Sequence, residues 1–372
     1  MVLFLTIIIR YFSSKSTICC DRAFNIKSNI DYSICFYYRL NYRYVINSDS
    51  NTIQELIKVN LSSECTDKKI ENIHIKSNKK EKIKIAVANV KVEEKYFIAV
   101  LNRNTKANKN LNRYEQLAKV LNEARKEKVD ILVLPENYVP IDWIPKLTSF
   151  SANNQMAIIT GVEHFITCLG DNQQYVNNYT AVILPYKIDD YKYAFIGWHN
   201  KVYYSPGEKR LITGYNYKYN EGKTLELYYW SGIYFPVFCC FELASIANRS
   251  RFQGYADLFI AIECNKDTNY YSSIIESLCR DIHCYCVQVN SSNYGDSRIV
   301  QPTNSVRLNI IRTKGGINST ILVDTVDIEK LRRHQIKEYE LQKDKNEFKP
   351  TPPGFNKELV WKKLRGEMIL LM

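Results

Sequence analysis

No long hydrophobic run occurs in this chain. Its most apolar opening, "MVLFLTIIIRYF", is interrupted by Arg10, far short of the ~20 residues a membrane-spanning helix needs. The same opening lacks a basic leader and a small-residue cleavage site, which argues against a secretory signal. Paired cysteine spacings are also missing. Eleven cysteines are scattered along the chain, and no CxxC faces another, so neither a zinc ribbon nor a disulfide scaffold is indicated. The expectation is a soluble protein with reduced thiols in the cytoplasm, with no membrane association.

What is present is an ordinary globular balance. The 372 residues are 45% hydrophobic and 24% charged, enough for one large domain with additions or for two domains. The net charge of +12, from 51 basic and 39 acidic residues, admits a nucleic-acid partner. The lysines are spread widely, however, and the main cluster, "SNKKEKIKIA", reads as a solvated linker. A compositional bias towards Lys, Asn, Ile and Tyr accounts for the charge, so nucleic acid is not the favoured partner.

Residues 1–81 carry short tyrosine-rich pieces and a polar stretch but no catalytic constellation. They read as a separate segment or the remnant of an upstream module. From residue 82 the pattern sharpens. Residues 83–90, "IKIAVANV", form a β-branched strand. Residues 110–128 place Leu111, Tyr114, Leu117, Leu121 and Ala124 at helical spacing. Residues 131–134 read as a buried strand stopped by Pro135. Further strands are expected over 157–160, 179–184, 193–197, 225–230, 234–239, 258–262, 284–289 and 319–323, with a helix near 272–281. This alternation predicts a layered α/β domain over 82–333. Residues 334–372, broken by paired prolines, read as a C-terminal tail or dimer arm.

Three reactive side chains directly follow buried strands, where loops present functional groups. They are Glu136 in "LVLPENY", Lys201 in "GWHNKVYYSPGEK" with Glu208 just beyond it, and the Cys239–Cys240 pair in "YFPVFCCFELAS". Each has a bland reading: an acidic strand end, a solvated lysine, a small buried hydrophobe. Together they supply a thiol nucleophile, a carboxylate base and a cation for oxyanion charge, the groups needed to hydrolyse an unactivated amide or nitrile.

The ordered set resembles the nitrilase, or carbon–nitrogen hydrolase, superfamily. "KIAVANV" resembles its first strand, "DILVLPE" its glutamate motif, "NKVYYSPGE" its lysine motif and "VFCCFE" its cysteine motif. "YADLFIA" and "CYCVQVNSSNYGDSRIVQPT" resemble the strands that follow. The resemblance spans residues 82–333. It implies a four-layer α-β-β-α sandwich, commonly dimeric, with no metal or organic cofactor. It further implies Cys240 as nucleophile, Glu136 as general base, Lys201 as oxyanion stabiliser and Glu208 as a supporting carboxylate. Because successive strand residues alternate, Cys239 is then expected in the core. Two departures stand out: "SPGE" is one residue shorter than the family's spacing, and the "FPE" that often follows the nucleophile is replaced by "LASIANRS". The expected substrate is a small-molecule amide, ahead of a nitrile. A membrane-linked N-acyltransferase of the same superfamily lacks its transmembrane helices here. A nitrilase-like accessory domain of a reverse-transcriptase-linked defence system, associated with nucleic acid, is the alternative; the basic charge and residues 1–80 would fit it.

Overall fold

The structure, a computed structural model, describes residues 57–61, 68–168, 173–343 and 347–371. The pieces expected before residue 57 lie outside these. The chain runs β1 (Ile57–Leu61), β2 (Lys69–Ile75), β3 (Lys82–Asn89), α1 (Glu94–Leu101), α2 (Leu111–Lys126), β4 (Ile131–Val133), α3 (Ile144–Asn154), β5 (Ala157–Gly161), β6 (Phe165–Cys168), β7 (Gln174–Asn177), β8 (Tyr179–Ile188) and β9 (Tyr191–Asn200). It continues through α4 (Pro206–Gly214), β10 (Lys218–Tyr219), β11 (Thr224–Trp230), β12 (Ile233–Phe235), β13 (Val237–Cys239), α5 (Ile246–Ser250) and β14 (Leu258–Ile262). The last elements are α6 (Thr268–Leu278), β15 (Tyr285–Val289), β16 (Ser297–Val300), β17 (Asn309–Thr313), β18 (Thr320–Asp327), α7 (Ile328–Ile336) and α8 (Lys357–Arg365).

Two large sheets result, ordered β18-β3-β4-β5-β8-β9 and β13-β14-β15-β16-β17. Strands β3, β4 and β5 are mutually parallel, as are β13, β14 and β15, and the outer strands run antiparallel. Period-2 alternation sorts each strand between two cores. Ile83, Ile85 and Val87 of β3 join Ile131 and Val133 of β4 in one apolar layer with Leu258, Ile260 and Ile262 of β14 and Val287 of β15. This layer is the seam between the sheets. On the outer face of the first sheet, Ala86, Ala88 and Leu132 pack with Leu117, Val120 and Leu121 of α2 and Leu147 of α3. On the outer face of the second, Phe259, Ala261 and Cys286 pack with Ile274, Ile275 and Leu278 of α6. The architecture is therefore a four-layer α-β-β-α sandwich. The parallel strands are buried on both faces, which is why they read as continuous apolar runs.

The structure departs from the sequence reading in several places. Residues 234–239 do not form one strand. Pro236 has no N–H to give a ladder, and the chain changes sheet there: β12 pairs with β11, while β13 pairs with β14. In α2, Leu111 and Tyr114 are exposed, and the buried member of that first turn is Arg113. Its guanidinium donates to Glu163 at 2.6 Å and to the Tyr138 carbonyl at 2.6 Å, so an ion pair replaces the expected apolar contact.

The boundary expected at residues 81/82 does not separate the described residues. β2 pairs in parallel with β11, Ile70 opposite Leu225 and Ile73 opposite Tyr228, inside a third sheet ordered β1-β2-β11-β12. The described residues between 334 and 371 are likewise packed on the body. Lys363 of α8 donates to Asp257 at 2.9 Å, and Asn72 and Leu371 exchange hydrogen bonds at 2.8 and 3.0 Å. No described helix is long and apolar enough to cross a membrane.

Candidate active site

Strand ends from both sheets meet at one place. Glu136 follows β4 after Leu134 and Pro135. Its turn closes through the Gly161 N–H, which donates to the Pro135 carbonyl at 3.1 Å, and through Asn137 in the left-handed region (φ 57°). Gly161 is obligatory here, because a Cβ at that position would lie 2.4 Å from both Glu136 Cα and the Asn137 nitrogen. Lys201 follows β9, and its N–H donates to the Asn178 carbonyl at 3.0 Å. Glu208 sits in the first turn of α4, where Pro206 opens the helix and the Ser205 hydroxyl accepts from the Glu208 N–H at 3.2 Å. The "SPGE" stretch is thus a capped helix start.

Cys240 directly follows β13 and opens a single 3-10 turn, Cys240–Ala244, with its backbone left-handed at φ 50°. A non-glycine residue held there needs its surroundings to enforce it. Glu242 supplies that restraint. Its carboxylate accepts from the Cys239 N–H at 2.6 Å, from the Val202 N–H, and from His199 Nε2 at 2.8 Å. His199 in turn reaches Glu226 through Nδ1 at 2.6 Å. Burial works against a charge on His199, but Glu242 and Glu226 outweigh it and hold its pKa up at about 10. This buried group ties the strand before Lys201 to the turn carrying Cys240.

The structure brings all four expected residues into one buried cluster. Lys201 Nζ donates to Glu136 Oε1 and Glu208 Oε2, each at 2.8 Å. Asn178 Nδ2 bridges the same two carboxylates at 2.9 and 3.0 Å. The Cys264 N–H donates to Glu136 Oε2 at 3.1 Å, and His164 Nε2 contacts Glu208 Oε1 at 2.8 Å. Relative exposure is 5% for Glu136, 2% for Lys201 and 6% for Cys240. Burial alone would lower the Lys201 pKa, but Glu136 and Glu208 overcome it and keep the ammonium charged well above its ordinary range. For Glu208 burial favours the neutral acid, and Lys201 with His164 reverses this, pushing the carboxyl below its usual range. Burial, reinforced by Glu136, pushes the Cys240 thiol well up.

One expectation needs correcting. Strand alternation was to leave only Cys240 facing the site. Instead the Cys239 thiol donates to Glu136 Oε1 at 3.2 Å, while Cys240 Sγ accepts from Asn265 Nδ2 at 3.5 Å. The left-handed turn at Cys240 breaks the period of two, so both thiols border the cluster. Sequence reasoning also missed Asn178, His164 and Asn265, none of which stands in a motif of reactive residues. Glu242 lay within the "VFCCFE" stretch, and its place two residues after Cys240 was the available signal. Among the described residues all seven cysteines are free, and no group of three or more His, Cys, Asp or Glu is placed to hold a metal ion.

Chemically, the cluster joins a carboxylate, an ammonium fixed against it and two thiols, closed off from bulk water. Such a set can move a thiol proton to a carboxylate and meet developing negative charge with a cation. In structure the chain is similar to a CN-hydrolase superfamily protein from Xanthomonas campestris, at 13% identity and a TM-score of 0.47, over 78% of this chain and 99% of that one. It is also similar to a Saccharomyces cerevisiae member of branch 10 of the nitrilase superfamily, at 16% identity and a TM-score of 0.47, over 69% and 96%. A third similar structure is an amidase from Nesterenkonia sp., at 13% and 0.42, over 70% and 95%. The likeness is one of fold. Neither a protein-family model nor a curated protein matches the sequence.

Proposed function

We propose that the chain is a thiol hydrolase of the nitrilase superfamily, cleaving the carbon–nitrogen bond of a small amide in preference to a nitrile. The observation that carries this reading is the Lys201 ammonium held at 2.8 Å from both Glu136 and Glu208, buried beside a strand-end thiol. In this reading Glu136 takes the Cys240 proton and the thiolate attacks the carbonyl carbon. Lys201 meets the oxyanion, and the amine leaves with the proton from Glu136. A water, deprotonated by Glu136, then attacks the thioester carbonyl; the C–S bond breaks, the carboxylic acid is released and the Cys240 thiolate takes the proton back from Glu136. The raised Cys240 pKa fits a resting neutral thiol that needs such a base. Glu208 and Asn178 position Lys201 and Glu136 without touching the reacting atoms. A homodimer, supported by the family resemblance, and a cytoplasmic setting, supported by cysteines that are scattered and, among the described residues, unpaired, belong to the same reading; light scattering tests the dimer.

The hydrogen bond from Cys239 to Glu136 favours a second assignment, with Cys239 as nucleophile. Cys240 is preferred because it stands on the strained turn that opens a helical segment and is the less buried of the two. Ammonia release is to be measured across amides, nitriles, ureides and carbamoyl amines for the parent, Cys240→Ala, Cys239→Ala and Glu136→Gln. Cys240→Ala is expected to be inactive, Cys239→Ala to keep turnover, and Glu136→Gln to lose about 10²–10⁴ in rate. Turnover that survives Cys240→Ala but not Cys239→Ala reverses the assignment. No release by the parent from any compound, with neither thiol captured by iodoacetamide, ends the hydrolase reading.

A further inference from the structure

A further carboxyl group, unused in the mechanism above, stands beside the same thiol. Glu263 follows β14 and is fully buried. Both its oxygens accept from Gln288 Nε2 of β15, at 3.1 and 3.0 Å. The next two residues reach into the site: Cys264 through its N–H to Glu136, and Asn265 through its side chain to Cys240. Glu263 contributes to the field that raises the Cys240 thiol, and Tyr271 lies within electrostatic reach of Cys240, Glu263 and Glu136 together.

A purely structural Glu–Gln pair would satisfy its polar atoms internally. This one does not. Gln288 is 1% exposed, and its Oε1 has no hydrogen-bond partner. The buried cation nearby, Arg298, is directed elsewhere, to Glu276, Ser272 and Asp296. Burial pushes the Glu263 carboxyl up to about 8, with Glu136 and Asp296 adding to it and Gln288 and Arg298 offsetting only part, the behaviour of a buried acid with no cation hydrogen-bonded to it. A buried carboxyl within electrostatic reach of Glu136 and Cys240, with an orphaned amide oxygen beside it, suits a partner that brings N–H donors and positive charge.

We infer that Glu263, with Gln288 beside it, is a specificity-determining subsite for an ammonium or guanidinium group of the substrate, so that the hydrolase takes small cationic amides. The inference rests on Cys240 being the nucleophile. A carboxylate facing a desolvated ammonium or guanidinium gives a charge-assisted hydrogen bond, bidentate in the guanidinium case. The Gln288 Oε1 is a second acceptor for its remaining N–H.

Three methanethiosulfonates test it without knowledge of the substrate: the 2-aminoethyl (cationic), 2-sulfonatoethyl (anionic) and methyl (neutral) reagents. In each case Cys240 Sγ forms a disulfide with the reagent's sulfenyl sulfur, and methanesulfinate leaves with the electron pair of the broken S–S bond. Rates at Cys240, read by peptide mass spectrometry, are divided by those of free 2-mercaptoethanol and then by the neutral-reagent rate of the same protein. Measured at pH 8, where Glu263 is about half ionised and an approaching cation draws off the remaining proton, the parent should favour the cationic over the anionic reagent by about tenfold or more, as expected for one charge at close range in a partly desolvated site. Glu263→Gln should bring that ratio down towards unity. A parent with no charge preference overturns the inference without need of the variant, and so does a preference that Glu263→Gln leaves unchanged. If Cys240 reacts with none of the three, the nucleophile assignment falls and this subsite with it. If turnover requires Cys240 but the charge preference is absent, the subsite alone falls.

Discussion

Replacing Lys201 by Met removes the one cation shared by two buried carboxylates, and its cost can be worked from the geometry. Each 2.8 Å contact is worth about 6 kcal/mol at an effective dielectric near 20. Most of that is offset by the several kcal/mol spent in burying the ammonium. What remains in the variant are two carboxylates hydrogen-bonded to the same Asn178 nitrogen, so their nearest oxygens lie within about 6 Å and repel by about 3 kcal/mol. A net destabilisation of about 3–5 kcal/mol at pH 7 follows, the usual result of orphaning a buried charge. The pH dependence carries a definite sign. In the parent, Glu208 is held below its ordinary pKa, so its stabilisation is present above the unfolded value near 4.3 and is lost only as pH falls through the lower folded value. In the variant, burial and mutual repulsion raise one carboxyl above its unfolded value, so the variant regains stability as pH falls through that raised value. Urea unfolding of both proteins at pH 7 and pH 5, followed by circular dichroism, should show the gap narrowing at pH 5. A gap of equal size at both values, or a variant as stable as the parent at pH 7, refutes the shared-cation account.

Gly161→Ala should cost about 1–3 kcal/mol in urea unfolding, because its Cβ would meet the backbone of Glu136 and Asn137 at 2.4 Å. It should also slow iodoacetamide capture of Cys240 by displacing the base; unchanged capture and stability would mean that the turn is soft. The sequence reading marks 82 as a domain start, but a chain beginning at residue 77 would lose β1 and β2. With them go buried Ile70, Ile73 and Ile75, each worth about 1.5–3 kcal/mol. It should show no cooperative melt, and a melt matching the full chain would show that strand pairing to be dispensable.

Much of the sandwich was legible because parallel strands buried on both faces must be continuously apolar, as residues 131–134 and 258–262 are. Glu136, Lys201, Glu208 and Cys240 were legible because reactive side chains directly after such strands are unusual. Their partners were not. Asn178 and His164 are ordinary polar residues in sequence, and only the turn around Gly161 and the start of β8 bring them to the carboxylates. The packing of the last residues was hidden for the opposite reason. Lysine is expected at the surface, yet Lys363 is buried on Asp257, which also binds Arg332. The sheet change at Pro236 was readable in principle, since proline cannot continue a central strand. The left-handed backbone at Cys240 has no counterpart in the residue type.

The register of β3 also has a consequence for how the chain comes to be folded. One side of β3 pairs with β4, but the other pairs with β18, Ile83 opposite Val326 and Asn89 opposite Thr320. Most of the chain lies between these partners. At roughly 5–20 residues per second, β3 leaves the ribosome about 10–50 seconds before β18 exists. Throughout that interval an apolar, β-branched strand presents unpaired amides on one edge, where another nascent chain could add. The same remote pairing gives the domain a high contact order, for which slow folding is the rule. Refolding from urea should therefore be slow and lose yield as protein concentration rises, and synthesis at reduced temperature or beside a holding chaperone should raise the soluble fraction.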